Sequence, residues 1–346
     1  MRRPTGPYTK VPPGTSNRKP SSVLSATQPV IAIDFGGTQI RAAVVDPDGA
    51  ISGLRFAETG VDGPAAVLAR IGDTTQLALE AAGVEASDCA AIGIAAPGPL
   101  DYDRGAILRA PNIPGFEDIT VAPPIGERFG LPAFLGNDAN LAVLAEHTYG
   151  AGRGVNDMVY VTVSTGVGAG ILVGGELLLG STGNAGEVGH MTIDFHSSVH
   201  TSGNIGCVEQ FAAGLGIARY AEELLAGDRR STLSAIFEDG GELTARDVSE
   251  AAKAGDRLAN VAWDRAICAL GAGFVSFIHV LNPRLIVVGG GVTNAGDFLL
   301  DPLRAYVQRY AMPGFKEDLQ IVPWTLGEKI GLLGAAAWAR RSLRDS

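Results

Sequence analysis

The stretch AIDFGGTQIRAAVVDPDG, Ala32 to Gly49, decides the fold. An apolar run is broken by Asp34, Gly36, Gly37 and Thr38, resumes, and ends in the turn signal DPDG. Strands at Val30–Ile33, Ile40–Asp46 and Ile51–Ala57, joined by these two short turns, form an antiparallel meander. A helix follows over Pro64–Ala82, with proline in its first turn and Gly83 as its stop. AAIGIAAPGPL returns to strand, a helix runs from about Ala139 to Tyr149, and strands recur at Met158–Ser164 and Ala169–Val173. A long helical stretch starts near Glu209 and a buried strand lies at Leu285–Val288. The sum is an α/β protein in two halves.

Composition narrows the functions open to such a chain. With 346 residues and 46% apolar side chains it can bury a large core, and its length suggests two domains. Twenty-seven basic against 37 acidic residues give a charge of −10 with no long basic block, so neither nucleic acid nor a membrane surface is an expected partner. Three scattered cysteines, Cys89, Cys207 and Cys268, make no disulfide framework and point to a reducing, cytoplasmic setting. The apolar window LGAGFVSFIHVLNPRLIVVGGGV is interrupted by His279, Asn282, Pro283 and Arg284, and reads as helix, turn and strand rather than a membrane span. Residues 1–28, rich in Pro, Ser and Thr with five basic residues and no acid, read as a disordered tail.

Two turns in the two halves resemble each other. DFGGTQ at Asp34–Gln39 and STGVGAG at Ser164–Gly170 each follow an apolar strand and set a hydroxyl beside glycines. Glycine lets backbone N–H groups approach an anion, Thr38 or Thr165 adds a hydroxyl donor, and Asp34 can hold a divalent metal through water. A plain glycine-rich hairpin accounts for either turn alone. No G-x-x-x-x-G-K-[ST] occurs, and Ile171 replaces the third glycine of a dinucleotide loop, which excludes the standard P-loop and Rossmann fingerprints. Gly289–Gly291 after LIVV leave either a floor for an adenine or a tight packing turn. In GNDAN, Asp138 reads first as a helix N-cap and second as a base acting on an alcohol, with Asn137 and Asn140 crowding the same turn. Glu187 and His190 share one short turn in GEVGH, and GNIGCVEQ follows.

Taken in order, DFGGT, APGP, APNIPGF, GNDAN, STGVGAG, GEVGH, GNIGCVEQ, LNPRLIVVGGGV and GLLGAA resemble the ROK family of sugar kinases and regulators, from Val30 to about Ala339. The resemblance implies a two-domain actin-like ATPase (ribonuclease H-like) α/β fold with a cleft between domains. It places a small domain at residues 29–137, joined by a C-terminal helix at 329–344, and a large domain at 138–328. It assigns Asp34, Gly36, Gly37 and Thr38 to one phosphate loop, Thr165, Gly166 and Gly168 to the other, and Gly289, Gly290, Gly291 and Val292 to the adenosine. Asp138 becomes the general base, and Asn112, Asn137, Glu187, His190 and Glu209 the hexose ligands.

The reaction so implied is transfer of the γ-phosphate of ATP, with Mg²⁺, to a hexose. Glucose is the first expectation, N-acetylglucosamine or N-acetylmannosamine the alternatives, and a non-catalytic sugar-sensing regulator the competing class. The family also implies a homodimer or tetramer. Its zinc site is degenerate here: His200 and Ser202 stand where two cysteines are expected, so His190, His200 and Cys207 are the candidate Zn²⁺ ligands, with Ser202 a poor fourth donor and His196 its substitute.

Overall fold

The computed structural model describes residues 27–345 except 111, 198–199, 202–203, 229 and 239–240. Most of the expected N-terminal tail therefore lies outside the described residues. Its last residue does not belong to a disordered segment: Gln28 donates from Nε2 to the Asp88 carbonyl at 3.3 Å, and its own carbonyl accepts from Arg340 at 2.9 Å. The chain divides into two compact units, one running through Leu141 and resuming at Gly331, the other spanning Ala142–Ile330. The sequence reading sets these breaks at 137/138 and 328/329.

The first unit opens with the meander β1 (Val30–Phe35), β2 (Gln39–Val45) and β3 (Ile51–Glu58), followed by helix α1 (Pro64–Ala82). Pro64 fills the first helical turn, where a missing N–H costs nothing. Gly83 ends the helix in the left-handed conformation at φ 67°, and its N–H returns to the Glu80 carbonyl. Next come β4 (Ile92–Ala96), a small sheet of β5 (Leu100–Asp101), β6 (Ala106–Arg109) and β7 (Glu117–Thr120), then α2 (Ala122–Phe129), β8 (Ala133–Asn137) and α3 (Asp138–Tyr149). The main sheet has the order β3-β2-β1-β4-β8; its first three strands are antiparallel neighbours, and β1, β4 and β8 run parallel. Its core is formed by Ile31, Ile33, Phe35, Ile40, Ile71, Ile92, Ile94 and Phe116 among others.

The second unit repeats the plan. Its strands are β9 (Met158–Val163), β10 (Val167–Val173), β11 (Glu176–Leu177), and the small hairpin β12 (His200–Thr201) and β13 (Asn204–Ile205). Helices α4 (Val208–Ala212), α5 (Gly214–Gly227), α6 (Ser234–Glu238), α7 (Ala245–Lys253) and α8 (Arg257–Leu281) follow, then β14 (Leu285–Gly289), α9 (Asp297–Tyr310) and β15 (Gln320–Pro323). The sheet order β11-β10-β9-β14-β15 again sets an antiparallel meander beside two parallel strands. Helix α8 is long and apolar enough to cross a membrane, yet most of its apolar window is buried, with Trp263, Phe274, Phe277 and Ile278 in this unit's core. Buried Glu146 ties α3 to the segment after β15 by accepting from the N–H groups of Ala151, Thr325 and Leu326.

Helix α10 (Ile330–Asp345) then returns the chain to the first unit. It lies so close to β4 that a Cβ at Gly93 would sit 1.9 Å from the Ala335 carbonyl oxygen, so only glycine fits there. Trp338 donates its indole N–H to Leu135 O at 3.1 Å, and Arg340 reaches Val45 O.

Candidate active site

In the first unit the turn Gly36–Thr38 closes with the Gly36 N–H on Gln39 O at 3.0 Å. Asp34, opposite Arg41 in the β1–β2 ladder, pairs with its guanidinium at 3.1 Å. Burial pushes the Asp34 carboxyl above the ordinary carboxylate range, with Arg41 opposing the shift. A Cβ at Gly331 would fall 2.3 Å from Asp34 Oδ2, so the first turn of α10 closes over this carboxylate only because residue 331 is glycine. The loop also meets Asn112: a Cβ at Gly37 would be 3.0 Å from both Cβ and O of Asn112.

Asp34 pairs in register with Ala95, Ala95 with Gly136, and Ala96 with Asn137. The first phosphate-loop candidate and the GNDAN turn thus share the carboxyl edge of one sheet, two strands or about 10 Å apart at the usual interstrand spacing. Ligands of open α/β sheets bind along such edges.

At that turn Asn137, not Asp138, is the cap. Its Oδ1 accepts from the N–H groups of Ala139 at 3.1 Å and Asn140 at 3.2 Å, the second and third positions of α3. Asp138 becomes the first residue of the helix, with an exposed side chain whose Oδ1 also receives the Ala139 N–H at 2.7 Å. Tyr102, absent from the sequence reading, braces the same turn: its hydroxyl accepts from the Asn137 N–H at 3.3 Å and from Asn140 Nδ2 at 3.2 Å.

In the second unit Thr165 and Gly166 occupy the equivalent turn between β9 and β10, with the Ser164 N–H on Gly166 O at 2.8 Å. Gly168 lies within β10, opposite Thr162. Glu209, from α4, reaches this turn: its Oε2 accepts the Val167 N–H at 2.9 Å, and a Cβ at Gly166 would come within 2.6 Å of the same oxygen. The GEVGH turn lies against β10, since a Cβ at Gly189 would sit 2.0 Å from Val167 O and one at Gly186 would sit 2.9 Å from Ala169 O. Glu187 and His190 thereby join Glu209 beside the second loop, with His190 Nε2 3.8 Å from Glu187 Oε2.

The glycine triplet has a mixed explanation. Cβ atoms at Gly289 and Gly290 would strike the Tyr160 hydroxyl at 2.3 Å and Val163 O at 2.5 Å, so packing alone requires these two glycines. Gly291 is open, its nearest neighbour being Ser164 Oγ at 3.8 Å, and Val292 is buried behind it. The triplet and the second loop share the carboxyl edge of this sheet, where Gly289 pairs with Thr162.

The zinc donors do not assemble among the described residues. Cys207 is fully buried at the start of α4, and His196 is exposed with its ring against Phe195. For His200 only the backbone is described, paired with Ile205, and Ser202 lies outside the described residues. No group of three His, Cys, Asp or Glu able to hold a metal ion occurs among the described residues. Hydrogen bonds run through the turn: Asn204 donates to the His190 carbonyl, Thr192 Oγ1 to Ile205 O at 3.0 Å, and buried Gln210 binds the Gly206 N–H at 3.0 Å.

Two units on one sheet plan, each with a glycine-and-hydroxyl turn after its first strand, define an α/β protein with the actin-like ATPase fold. Residues 30–342 match the ROK family, and the chain belongs to that family. It is 37% identical to the glucokinase of Halalkalibacterium halodurans over 318 residues, 91% of this chain and 96% of that one. Among solved structures it is similar to a ROK family glucokinase from Streptomyces griseus in complex with glucose and AMPPNP, at 33% identity and a TM-score of 0.75, over 90% of this chain and 99% of that one. It is also similar to a ROK family transcriptional regulator described as a homolog of the E. coli MLC protein, at 26% identity and a TM-score of 0.82, over 93% of this chain and 80% of the regulator.

Proposed function

We propose that this chain is an ATP-dependent glucokinase that forms glucose 6-phosphate with Asp138 as general base. The observation that carries the reading is the division of labour at the start of α3. Asn137 caps the Ala139 and Asn140 N–H groups from a half-buried position, while the Asp138 carboxylate, which shares the Ala139 N–H, stands exposed at the carboxyl edge of the sheet that also carries the Gly36–Thr38 turn. The kinase relatives, matched over nearly their whole length, support the same activity.

In this mechanism Asp138 accepts the proton of the sugar 6-hydroxyl as that oxygen bonds to the γ-phosphorus, and the bond from phosphorus to the bridging oxygen of ADP breaks. The N–H groups of Gly37, Thr38, Thr165 and Gly166 hold phosphate oxygens, the Gly36 N–H being committed to Gln39 O, and Gly291 leaves room for the adenosine. Asp34 fits a phosphate-bound Mg²⁺, which needs few protein carboxylates and supplies charge neutralisation when bound. Asn112, Asn137, Glu187 and His190 bind sugar hydroxyls. Glu209 has one oxygen committed to Val167, so it links the sugar side to the second phosphate loop.

N-acetylglucosamine and N-acetylmannosamine are the alternative substrates, and the likeness to a regulator keeps sugar sensing as the competing class. Turnover of the wild-type protein across a panel of sugars separates these readings, and Asp138→Asn tests the base. The kinase reading expects kcat to fall by roughly 10²–10⁴-fold with glucose binding retained in calorimetry. Near-normal turnover in that variant removes Asp138 as the base.

A further inference from the structure

The carbonyl oxygens of a phosphate loop are as much a liability as its N–H groups are an asset, because an anion is repelled by one and held by the other. In the Gly36–Thr38 turn two of these carbonyls are taken up by a single residue 21 positions or more further along the chain. Thr59, immediately after β3 and fully buried at 0% exposure, donates its hydroxyl to Gly36 O at 2.6 Å and its N–H to Thr38 O at 2.9 Å. The Gln39 carbonyl is occupied by the Gly36 N–H. These acceptors are thus satisfied from the side of the turn formed by β3.

Thr59 is itself buttressed. Arg70, from α1, donates Nη1 to the Thr59 carbonyl and pairs through Nη2 with Asp62 Oδ2 at 2.6 Å. The bracket depends on Gly60, whose φ is +75° and where a Cβ would lie 2.6 Å from both Arg70 Nη1 and Asp62 Oδ1. Asp62, Arg70 and Thr59 therefore form one chain of contacts ending at the loop. Nothing in the sequence marks it, since ETGVDG at 58–63 looks like an ordinary connection.

We propose that Thr59 is a positioning residue for the nucleotide: it fixes the first phosphate loop so that its N–H groups are presented to the anion. The proposal rests on the kinase reading above and adds that ATP affinity, rather than sugar affinity, is set in part by a residue that touches neither substrate. A buried carbonyl deprived of its donor is costly, and the loop has to rearrange to satisfy it.

The test compares Thr59→Val with Thr59→Ser in the full chain. Thr59→Val removes the hydroxyl at nearly constant volume and keeps the N–H; Thr59→Ser keeps both donors. The expected result for Thr59→Val is a fall of about tenfold in kcat/KM for MgATP, with the KM for glucose unchanged within about twofold and recovery in Thr59→Ser. Calorimetry with Mg-AMPPNP in the absence of sugar reads the same loss as weaker binding. Arg70→Met, which removes the buttress and leaves the hydroxyl, shifts the same parameters by less and serves if Thr59→Val does not fold.

Unchanged nucleotide binding in folded Thr59→Val and Arg70→Met overturns the proposal, as does an equal loss for glucose and ATP. Failure of the wild-type protein to phosphorylate any sugar sinks the kinase reading instead, while the nucleotide calorimetry still tests Thr59.

Discussion

The turns after β1 and after β9 occupy the same place in two sheets of one plan, and they are held in opposite ways. Thr59 donates to the carbonyls of the first turn from a position 23 residues beyond Gly36, as an extension of the β2–β3 ladder. Glu209 accepts an N–H of the second turn from a helix 42 residues beyond Val167. The first turn is braced by a neutral group that leaves N–H donors for a ligand. The second has given one N–H to a carboxylate and carries that negative charge beside it. A bare phosphate is better suited by the first arrangement, whereas a carboxylate at the second is the kind of group that accepts from hydroxyls, in keeping with the sugar role proposed for Glu209. The first unit carries a charge too, but Asp34 has Arg41 against it.

Asp34→Asn sharpens this contrast most, because it removes the charge of the first loop and leaves its shape. Turnover should fall on the order of 10²–10³-fold, the usual scale for losing a group that acts on transition-state charge. Stability should move the other way. Burial raises the Asp34 pKa, so the folded state favours the protonated form, and stability is lost as pH rises through that raised value. At neutral pH the neutral amide should therefore melt higher than the wild type, an exchange of stability for activity that functional sites often show. The gap should close as the pH falls below the raised pKa and wild-type Asp34 takes up its proton. A gap that widens in acid contradicts the assignment.

Glu209→Ala comes next in size. If the carboxylate links loop and sugar, the KM values for ATP and glucose should both rise, by about tenfold each. That joint change is the counterpart of the ATP-selective loss expected for Thr59→Val. A change confined to glucose would leave Glu209 as a sugar ligand only, and one confined to ATP would reduce it to a second loop brace.

The sequence discloses those features whose cause is local. The apolar strands, the DPDG turn, the α1 helix from Pro64 to Gly83, and the pairing of glycines with Thr38 and Thr165 all come from residues adjacent in the chain, and the meander follows from them. Contacts made through the sheets are not visible in it. Thr59 and Glu209 look ordinary until the strand register and the start of α4 bring them to their loops. Gly289 and Gly290 look like a ligand floor because Tyr160 and Val163 on β9, which fill that space, become neighbours only through the β9–β14 pairing. Asn137 and Asp138 are equally good caps by composition, and side-chain geometry alone separates them. Strands β5 to β7, at two to four residues each, are too short to show a period.

The central claim is that two differently braced loops and one carboxylate at the head of a helix make a glucose kinase. Its most direct test is the rate of ADP release from MgATP across a panel of hexoses and N-acetylhexosamines, with kcat/KM determined for each. The account predicts that glucose gives the highest value and glucose 6-phosphate as product. A higher value for an N-acetylhexosamine, or binding of a sugar without ADP release, would contradict it.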